Sequence, residues 1–381
     1  MTVVIIGGGV VGLATAYFLA DRGTEVTLLE RNALGSGSTE RANGGIRAQF
    51  TTPSNIQLSL TSLNVWESFD AQFDAELDFR QNGYLFLTGD DDRATQFHEN
   101  VKIQQDHGVP SEYLDREEVE EITDLDPDAN VVAGTYCPLD GYADPHGAVR
   151  GFADAAGAAG AVIRTNTPAE SIEPRGDGYG VQAMDEWIQA EHIVIAAGVW
   201  SPELADELGI DLPISPVRRQ LATAEPDGDL PANHPYTHHA EAQVSFRPDR
   251  PGTAILSGKF EDDGETISNP DRYRRRIDLE FPIAVLERLT DVSMYFGPGS
   301  KPTGGWAGLY ARTPDHNPII DQPRSDCYIA AGFSGHGFMH SPAVGKHLAA
   351  LITGRGKPVV EPDAFGLNRF SEADSGEGLY L

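Results

Sequence analysis

Two cysteines among 381 residues, Cys137 and Cys327, are too few for a disulfide framework or a cysteine-based metal cluster. Both read as ordinary buried thiols. Lysine is nearly as scarce: only Lys102, Lys259, Lys301, Lys346 and Lys357 occur. With no basic stripe along the chain, nucleic acid is excluded as a partner. No apolar run approaches the ~18 residues of a membrane helix. No basic stretch followed by an apolar core marks a signal peptide. The sequence therefore reads as cytoplasmic, without a membrane span. It also lacks internal repeats and low-complexity segments.

What the chain has in excess is acid. Its formal net charge is −30, and the acids are spread along its length rather than gathered in a tail. That excludes a disordered acidic tail. A dispersed acidic surface with few lysines resembles proteins of salt-loving organisms, because concentrated salt screens the self-repulsion. The expectation is a halophilic protein, large enough for two domains with real cores.

The first thirty residues carry the strongest motif. Val3-Val4-Ile5-Ile6 reads as a strand, Gly7-Gly8-Gly9-Val10-Val11-Gly12 as a glycine-rich turn, and the run to Gly23 as a helix. A second strand then ends at the acid Glu30. Gly7 permits the sharp turn, Gly9 admits a pyrophosphate to the backbone, and Gly12 lets helix and strand pack closely. The helix N-terminus offers N–H groups and a positive dipole end to phosphates. Glu30 can accept hydrogen bonds from ribose hydroxyls.

Residues 31–50 are rich in Gly, Ser, Thr and Asn, as in a backbone wrapped around a ligand. Hydrophobic spacing predicts helices over 53–69, 91–107, 146–159 and 201–208, and a capping box at Asp115 with Glu118. Strands are expected at 83–88, 131–136, 161–163, 179–184 and 187–190. Ile193-Val194-Ile195-Ala196-Ala197-Gly198 is a continuous apolar run, as in a parallel strand buried on both faces. From 213 to 306 the texture is that of an antiparallel sheet with helices. Its strands are expected at 217–224, 243–247 and 253–257, and a charged helical piece at 271–289. Near the end, Cys327-Tyr328-Ile329-Ala330-Ala331 leads into Gly332-Phe333-Ser334-Gly335-His336-Gly337-Phe338-Met339. A helix over 341–353 follows, with Pro342 at an early, tolerated position. A strand, glycine loop and helix N-terminus thus occur twice. A nicotinamide dehydrogenase needs no such late element. A flavoprotein does, because the isoalloxazine lies far from the adenosine.

Taken together, Gly7 to Gly12, Glu30, the Gly37 to Arg47 loop, Ile195 to Trp200, Tyr310 with Thr313-Pro314-Asp315, and Gly332 to Gly345 resemble the D-amino-acid-oxidase-like FAD oxidoreductases. Within them the likeness is to the group of the sarcosine oxidase β-subunit, dimethylglycine dehydrogenase and the archaeal proline dehydrogenase β-subunit. It spans nearly the whole chain. The resemblance implies an α/β fold of two domains. A Rossmann-like FAD-binding domain would comprise 1–82, 142–212 and 312–381. A discontinuous substrate domain on a mixed, largely antiparallel sheet would comprise 83–141 and 213–311.

The resemblance also implies extended FAD. Gly7, Gly9 and Gly12 would touch its pyrophosphate, and Glu30 and Arg31 would lie by the adenosine ribose. Ser38, Thr39, Asn43, Gly44 and Gly45 would run along the pyrophosphate and flavin edge, with Ala197 and Gly198 lining the cofactor. Gly335, His336, Gly337, Phe338 and Met339 would lie under the flavin, facing the positive end of the helix from Ser341. Monomeric sarcosine oxidases attach flavin through a cysteine where this chain has Gly308, so the FAD here is expected to be noncovalent. Their carboxylate-binding lysine is replaced by Met339, and the arginine of glycine oxidases by Tyr310. Carboxylate recognition then falls to Arg47, with Lys259 second. Lys259 also bears a weak analogy to an oxygen-activating lysine, and His336 sits in the turn itself. His146 falls where heterotetrameric sarcosine oxidases attach a second flavin, yet after Asp144-Pro145 it reads as a helix-start residue.

The implied activity is hydride transfer to flavin from the C–H beside the nitrogen of a small secondary or tertiary amino acid (sarcosine, dimethylglycine or proline type). Electrons would pass to O2 or a redox partner, and a place in a hetero-oligomer is implied too. Two readings stay open beside it: a 2-hydroxy-acid or glycerol-3-phosphate dehydrogenase, and a flavin-bearing structural subunit or assembly factor without turnover.

Overall fold

The computed structural model describes residues 1–260 and 264–370. In chain order the strands are β1 Thr2–Ile6, β2 Glu25–Leu29, β3 Gly45–Ile46, β4 Tyr84–Thr88, β5 Glu112–Asp115, β6 Ala133–Cys137, β7 Gly141–Tyr142, β8 Val162–Arg164, β9 Ala169–Arg175, β10 Gly178–Ala183 and β11 Glu186–Ala190. They continue as β12 His192–Ile195, β13 Ser215–Glu225, β14 Tyr236–His239, β15 Val244–Pro248, β16 Ala254–Gly258, β17 Glu265–Thr266, β18 Lys301–Arg312, β19 Ile319–Arg324 and β20 Cys327–Ala331. The α-helices are α1 Val10–Ala20, α2 Pro53–Glu67, α3 Phe69–Phe73, α4 Asp91–Asp106, α5 Arg116–Glu120, α6 Pro145–Ala158, α7 Ser201–Asp206, α8 Phe281–Thr290 and α9 Gly337–Thr353.

The first sheet runs β19-β20-β12-β1-β2-β8 and is parallel except for the edge strand β19. Its central strands β1, β12 and β20 are largely apolar because both faces are covered. Val3, Ile5, Val26, Leu28 and Val194 face one core with α1, α2, α6 and α9. Val4, Ile6, Leu29, Ile193 and Ile195 face the other, with the antiparallel β9–β11 layer. Alternation along each strand makes both cores at once. The second sheet runs β17-β13-β16-β15-β14-β4-β6-β5, with β18 also paired to β13. It is antiparallel except where β14 runs parallel to β4. Leu85, Leu87, Val244, Phe246 and Leu256 pack on one face with helical residues such as Val119 and Val285. The other face carries Tyr84, Phe86, Tyr236 and His238. The capping box at Asp115 and Glu118 forms as expected.

Two expectations are corrected. The piece over 271–289 is helical only from Phe281. Its charged first half is held open by Arg218, whose guanidinium donates to the carbonyls of Arg274 and Arg276 and to Asp278 Oδ2. Carbonyls taken by a guanidinium are not free to build a helix. The last helix begins at Gly337 rather than Ser341, so Pro342 lies inside it. Proline removes an N–H and disturbs the turn before it. Here Ser341 Oγ donates to Phe338 O, Trp66 Nε1 donates to Met339 O, and Ala343 N donates to Ser62 Oγ. Side chains replace the ladder, and the helix tolerates its proline.

Candidate active site

Three turns converge at the carboxyl edge of the first sheet. The turn after β1, the end of β12 at Ala196 and Ala197, and the turn after β20 lie side by side because β12 sits between β1 and β20. This is where open α/β sheets bind ligands. Gly7 has φ +116° and abuts the Ala196 carbonyl. Gly198 has φ +59° and opens a 3-10 turn. Gly12 is pressed against the Gly7 carbonyl, so a Cβ there would collide with backbone. A Cβ on Gly9 would meet only Thr39 Oγ1, at 3.4 Å. Gly12→Ala is therefore expected to destabilise the apoprotein by ~1–3 kcal/mol through overpacking. Gly9→Ala should leave apoprotein melting unchanged and weaken FAD binding at least about tenfold. FAD affinity equal to the parent's in Gly9→Ala would remove Gly9 from the cradle.

Glu30 stands behind this turn. Its Oε2 accepts from Gly8 N at 2.8 Å and its Oε1 from Asn32 N at 2.8 Å. The carboxylate braces the turn, and each oxygen keeps a lone pair for a ribose hydroxyl. Thr39 Oγ1 accepts from Val10 N at 3.2 Å, at the mouth of α1. Arg31 stacks over the Trp200 ring at 4.0 Å and pairs with Asp271 at 2.7 Å, on the solvent side. Ser38 Oγ donates to Leu309 O, tying the glycine-rich loop to β18. Asn43 is gripped by Arg247 through its Oδ1 and its carbonyl. Gly44 and Gly45 press against Ala143 O and Tyr84 Oη, where side chains would not fit.

The late turn is braced by the Thr-Pro-Asp motif. Thr313 N donates to Ser334 Oγ, and Asp315 holds Arg369 at 2.7 Å. Gly335 has φ +101° and faces the Tyr310 ring. His336 is the N-cap residue of α9, followed by Gly337. Phe338 and Met339 are buried in the first sheet's core, with Phe338 stacked on Trp66. Their side chains are core residues in this fold; it is the helix start that faces the cleft. Neither α1 nor α9 carries an acidic residue in its first turn, which suits both ends to an anionic group.

Arg47 lies at the centre of what remains. It is 4 % exposed, a burial that charged groups reach only with partners. Its Nη1 donates to Gln49 O at 2.7 Å, and Nη2 lies 3.2 Å from His336 Nε2. Because arginine cannot accept, that imidazole nitrogen accepts and the ring proton sits on Nδ1. Burial, then the Arg47 charge, holds His336 well below the usual histidine range, so it is neutral. Phe50 lies 4.2 Å below the guanidinium. Asp140, fully buried, accepts from Ala48 N and Gln49 Nε2. Burial pushes its carboxyl up to about 7, against the pull of those hydrogen bonds and of Arg47.

The aromatic face of the second sheet closes the space. Tyr84 and Tyr236 stack at 4.3 Å, and both His238 and Lys259 stand nearby, the Lys259 charge adding to what lowers His238. Tyr310 is 40 % exposed, yet burial raises its phenol; its ring lies between Gly335 and the Arg219 guanidinium. Lys259 extends just beyond β16, with its N–H on Gln243 O. Arg47, Lys259, Tyr310 and His336, the four residues expected from the sequence, lie round this cleft. Tyr84, Asp140, Tyr236, His238 and Arg247 join them without having been expected. Alternating aromatic and aliphatic residues in Tyr84–Thr88 were the available signal. His146 is the second residue of α6, after Pro145, with its N–H on Asp144 Oδ1.

The model of the family described as "DAO: FAD dependent oxidoreductase" matches residues 2–351. Dimethylglycine dehydrogenase of Rattus norvegicus is 26 % identical over 398 residues, 97 % of this chain and 45 % of the relative. The chain thus spans about half the length of that relative. Sarcosine oxidase subunit beta of Rhizobium meliloti is 28 % identical over 386 residues, 97 % of this chain and 88 % of the relative. The crystal structure of L-proline dehydrogenase from P. horikoshii superposes with a TM-score of 0.87 at 33 % identity, covering 97 % of each chain. With a family model matching nearly its whole length, the chain belongs to the DAO family of FAD-dependent oxidoreductases.

Proposed function

We propose that the protein oxidises the carbon–nitrogen bond of a small secondary or tertiary amino acid of the sarcosine, dimethylglycine or proline type, with FAD held noncovalently. The observation that carries this reading is the buried Arg47, the fixed cation of the cleft, set beside the late glycine turn. The relatives' names support the substrate class. FAD, when bound, supplies the acceptor for the two electrons leaving the substrate.

The chain's own residues do the rest. Arg47 presents a planar donor fork to one carboxylate. His336, neutral, spends its Nε2 on Arg47 and so fixes the guanidinium's rotation without adding charge. The stacked rings of Tyr84 and Tyr236, with Phe86, make a low-polarity wall. Such a wall favours the neutral amine, the form whose lone pair assists loss of the adjacent hydride. Lys259 adds a second cation for the carboxylate or the electron acceptor, which is O2 or a redox partner. A relative that is itself a β-subunit supports a place in a hetero-oligomer.

The expected domain division, 1–82, 142–212 and 312–381 against 83–141 and 213–311, is retained here; residues 261–263 and 371–381 lie outside the described residues. The acidic, lysine-poor composition supports a fold adapted to concentrated salt. Anaerobic mixing with sarcosine, dimethylglycine, proline and 2-hydroxy acids of the same size tests the substrate class. Bleaching of the flavin by an N-alkyl amino acid is expected. Faster bleaching by the hydroxy acid overturns the reading.

A further inference from the structure

The cation proposed to bind the carboxylate sits on a short segment with buried charges at both ends. Residues 43–49 leave the glycine-rich loop, form β3, and end at Gln49. β3 pairs antiparallel with β7, Gly45 opposite Tyr142 and Ile46 opposite Gly141. The same register sets Arg47 opposite Asp140. Past the ribbon, Asp140 turns both carboxylate oxygens onto the segment: Oδ1 accepts from Ala48 N at 2.7 Å and Oδ2 from Gln49 Nε2 at 3.1 Å. Gln49 is held further by Tyr84 O, which accepts from its Nε2 at 3.1 Å, and by Thr135 Oγ1, which donates to its Oε1 at 2.9 Å. Its carbonyl in turn accepts from Arg47 Nη1. Thus one carboxylate fixes the residue that fixes the guanidinium.

At the other end, Arg247 reaches from β15. Its Nε donates to Asn43 Oδ1 at 2.8 Å and its Nη2 to Asn43 O at 2.9 Å. The guanidinium lies 4.4 Å over the Tyr142 ring, on the partner strand of the same ribbon. Asp140 is 0 % and Arg247 7 % exposed. Burying a carboxylate and a guanidinium is costly, and apolar residues of like volume often serve stability as well or better. Stability alone therefore does not account for this pair of charges on one segment of seven residues.

We propose that Asp140 and Arg247 are positioning residues, which grip the Arg47 segment from either end and so hold the Arg47 guanidinium in the orientation that receives a substrate carboxylate. The proposal rests on the reading of Arg47 as the carboxylate-binding group. Neither residue needs to touch substrate. Asp140→Asn keeps the shape and the acceptor for Ala48 N, but sets an amide N–H against Gln49 Nε2. A flipped Gln49 would then turn its oxygen on the Tyr84 carbonyl. Arg247→Lys keeps the charge but loses the two-pronged grip on Asn43.

The test uses the holoenzyme and two unreactive ligands, pyrrole-2-carboxylate and pyrrole-2-carboxamide, with binding read from the visible band of the bound flavin. In both variants the carboxylate is expected to bind at least about tenfold more weakly, while the carboxamide changes less than about threefold and flavin content is unchanged. Equal weakening of both ligands, or none, overturns the proposal. If Asp140→Asn fails to retain flavin, Arg247→Lys decides by the same criterion. Arg47→Lys in the same titration separates the two levels. If it leaves carboxylate binding intact, the carboxylate reading of Arg47 itself fails, whatever the other two variants do.

Discussion

Between pH 7 and pH 5 the protein is expected to lose most of its stability. Burial pushes His234 and His347 down to about 4, and His238 and His340 down to about 3. In the unfolded chain each titrates near the ordinary histidine value of ~6.5. A depressed folded pKa means the native state binds fewer protons than the unfolded state through this window. The stability contributed by the neutral form is therefore present above pH ~6.5 and lost as the pH falls. At pH 5 each of the four costs about 2 kcal/mol, about 8 kcal/mol together. Asp140 works the other way: its folded pKa, raised to about 7, returns about 2 kcal/mol over the same interval. The balance is comparable with the ~5–15 kcal/mol stability of a typical fold.

Thermal melting at half-unit steps of pH reads this directly. A Tm that is flat from pH 7 to pH 5 would contradict it. Repeating the series at ~0.1 and ~1 M salt separates the histidines from the surface charge. Salt shortens the screening length from ~10 Å to ~3 Å. It should raise Tm at pH 7, where the net charge of −30 repels itself, and leave the acid transition in place. Equal melting in both salts at pH 7 would remove the halophilic reading.

Arg47→Met is expected to lower kcat/KM for the amino acid by about 30-fold to 5,000-fold, in line with the ~2–5 kcal/mol lost when one partner of a buried charge pair is truncated. Methionine fills much of the same space above Phe50 but donates nothing. Arg47→Lys should retain part of the activity, because the charge remains and the fork does not. The loss should appear first in KM. Anaerobic stopped-flow reduction at varied substrate concentration separates a weakened complex from a slowed hydride transfer. Flavin content serves as the control, Arg47 being joined to the late glycine turn through His336. Parental kcat/KM in Arg47→Met would end the assignment.

The parts legible in the sequence are those whose meaning is local. β1, β12 and β20 announce themselves because a strand buried on two faces must be apolar at nearly every position. The glycine turns are legible because φ values such as +116° at Gly7 and +101° at Gly335 exclude other residues. The capping box at Asp115 needs only four residues. What stayed hidden depends on partners far along the chain. The charged stretch before α8 has helical composition, yet Arg218 on β13 claims its carbonyls. Pro342 looks like a helix start until Ser62, from α2, accepts the N–H of Ala343. Tyr236 acquires its place from the parallel pairing of β14 with β4. Asp140 acquires its own from the register of β3 with β7. No periodicity in either strand encodes those pairings.

The connectivity of the first sheet has a consequence during synthesis. β1, α1 and β2 leave the ribosome well before their neighbours β12 and β20, with the second sheet's strands in between. Helix α1 is buried on nearly every side, and one of those sides belongs to α9, where a Cβ on Gly345 would lie 2.8 Å from the Ala14 backbone. Until residue 353 has emerged, the nascent nucleotide-binding unit therefore carries an unshielded apolar helix and an incomplete sheet edge. Exposed apolar surface and unpaired strand edges are what make incomplete chains prone to aggregate and bring chaperones to them.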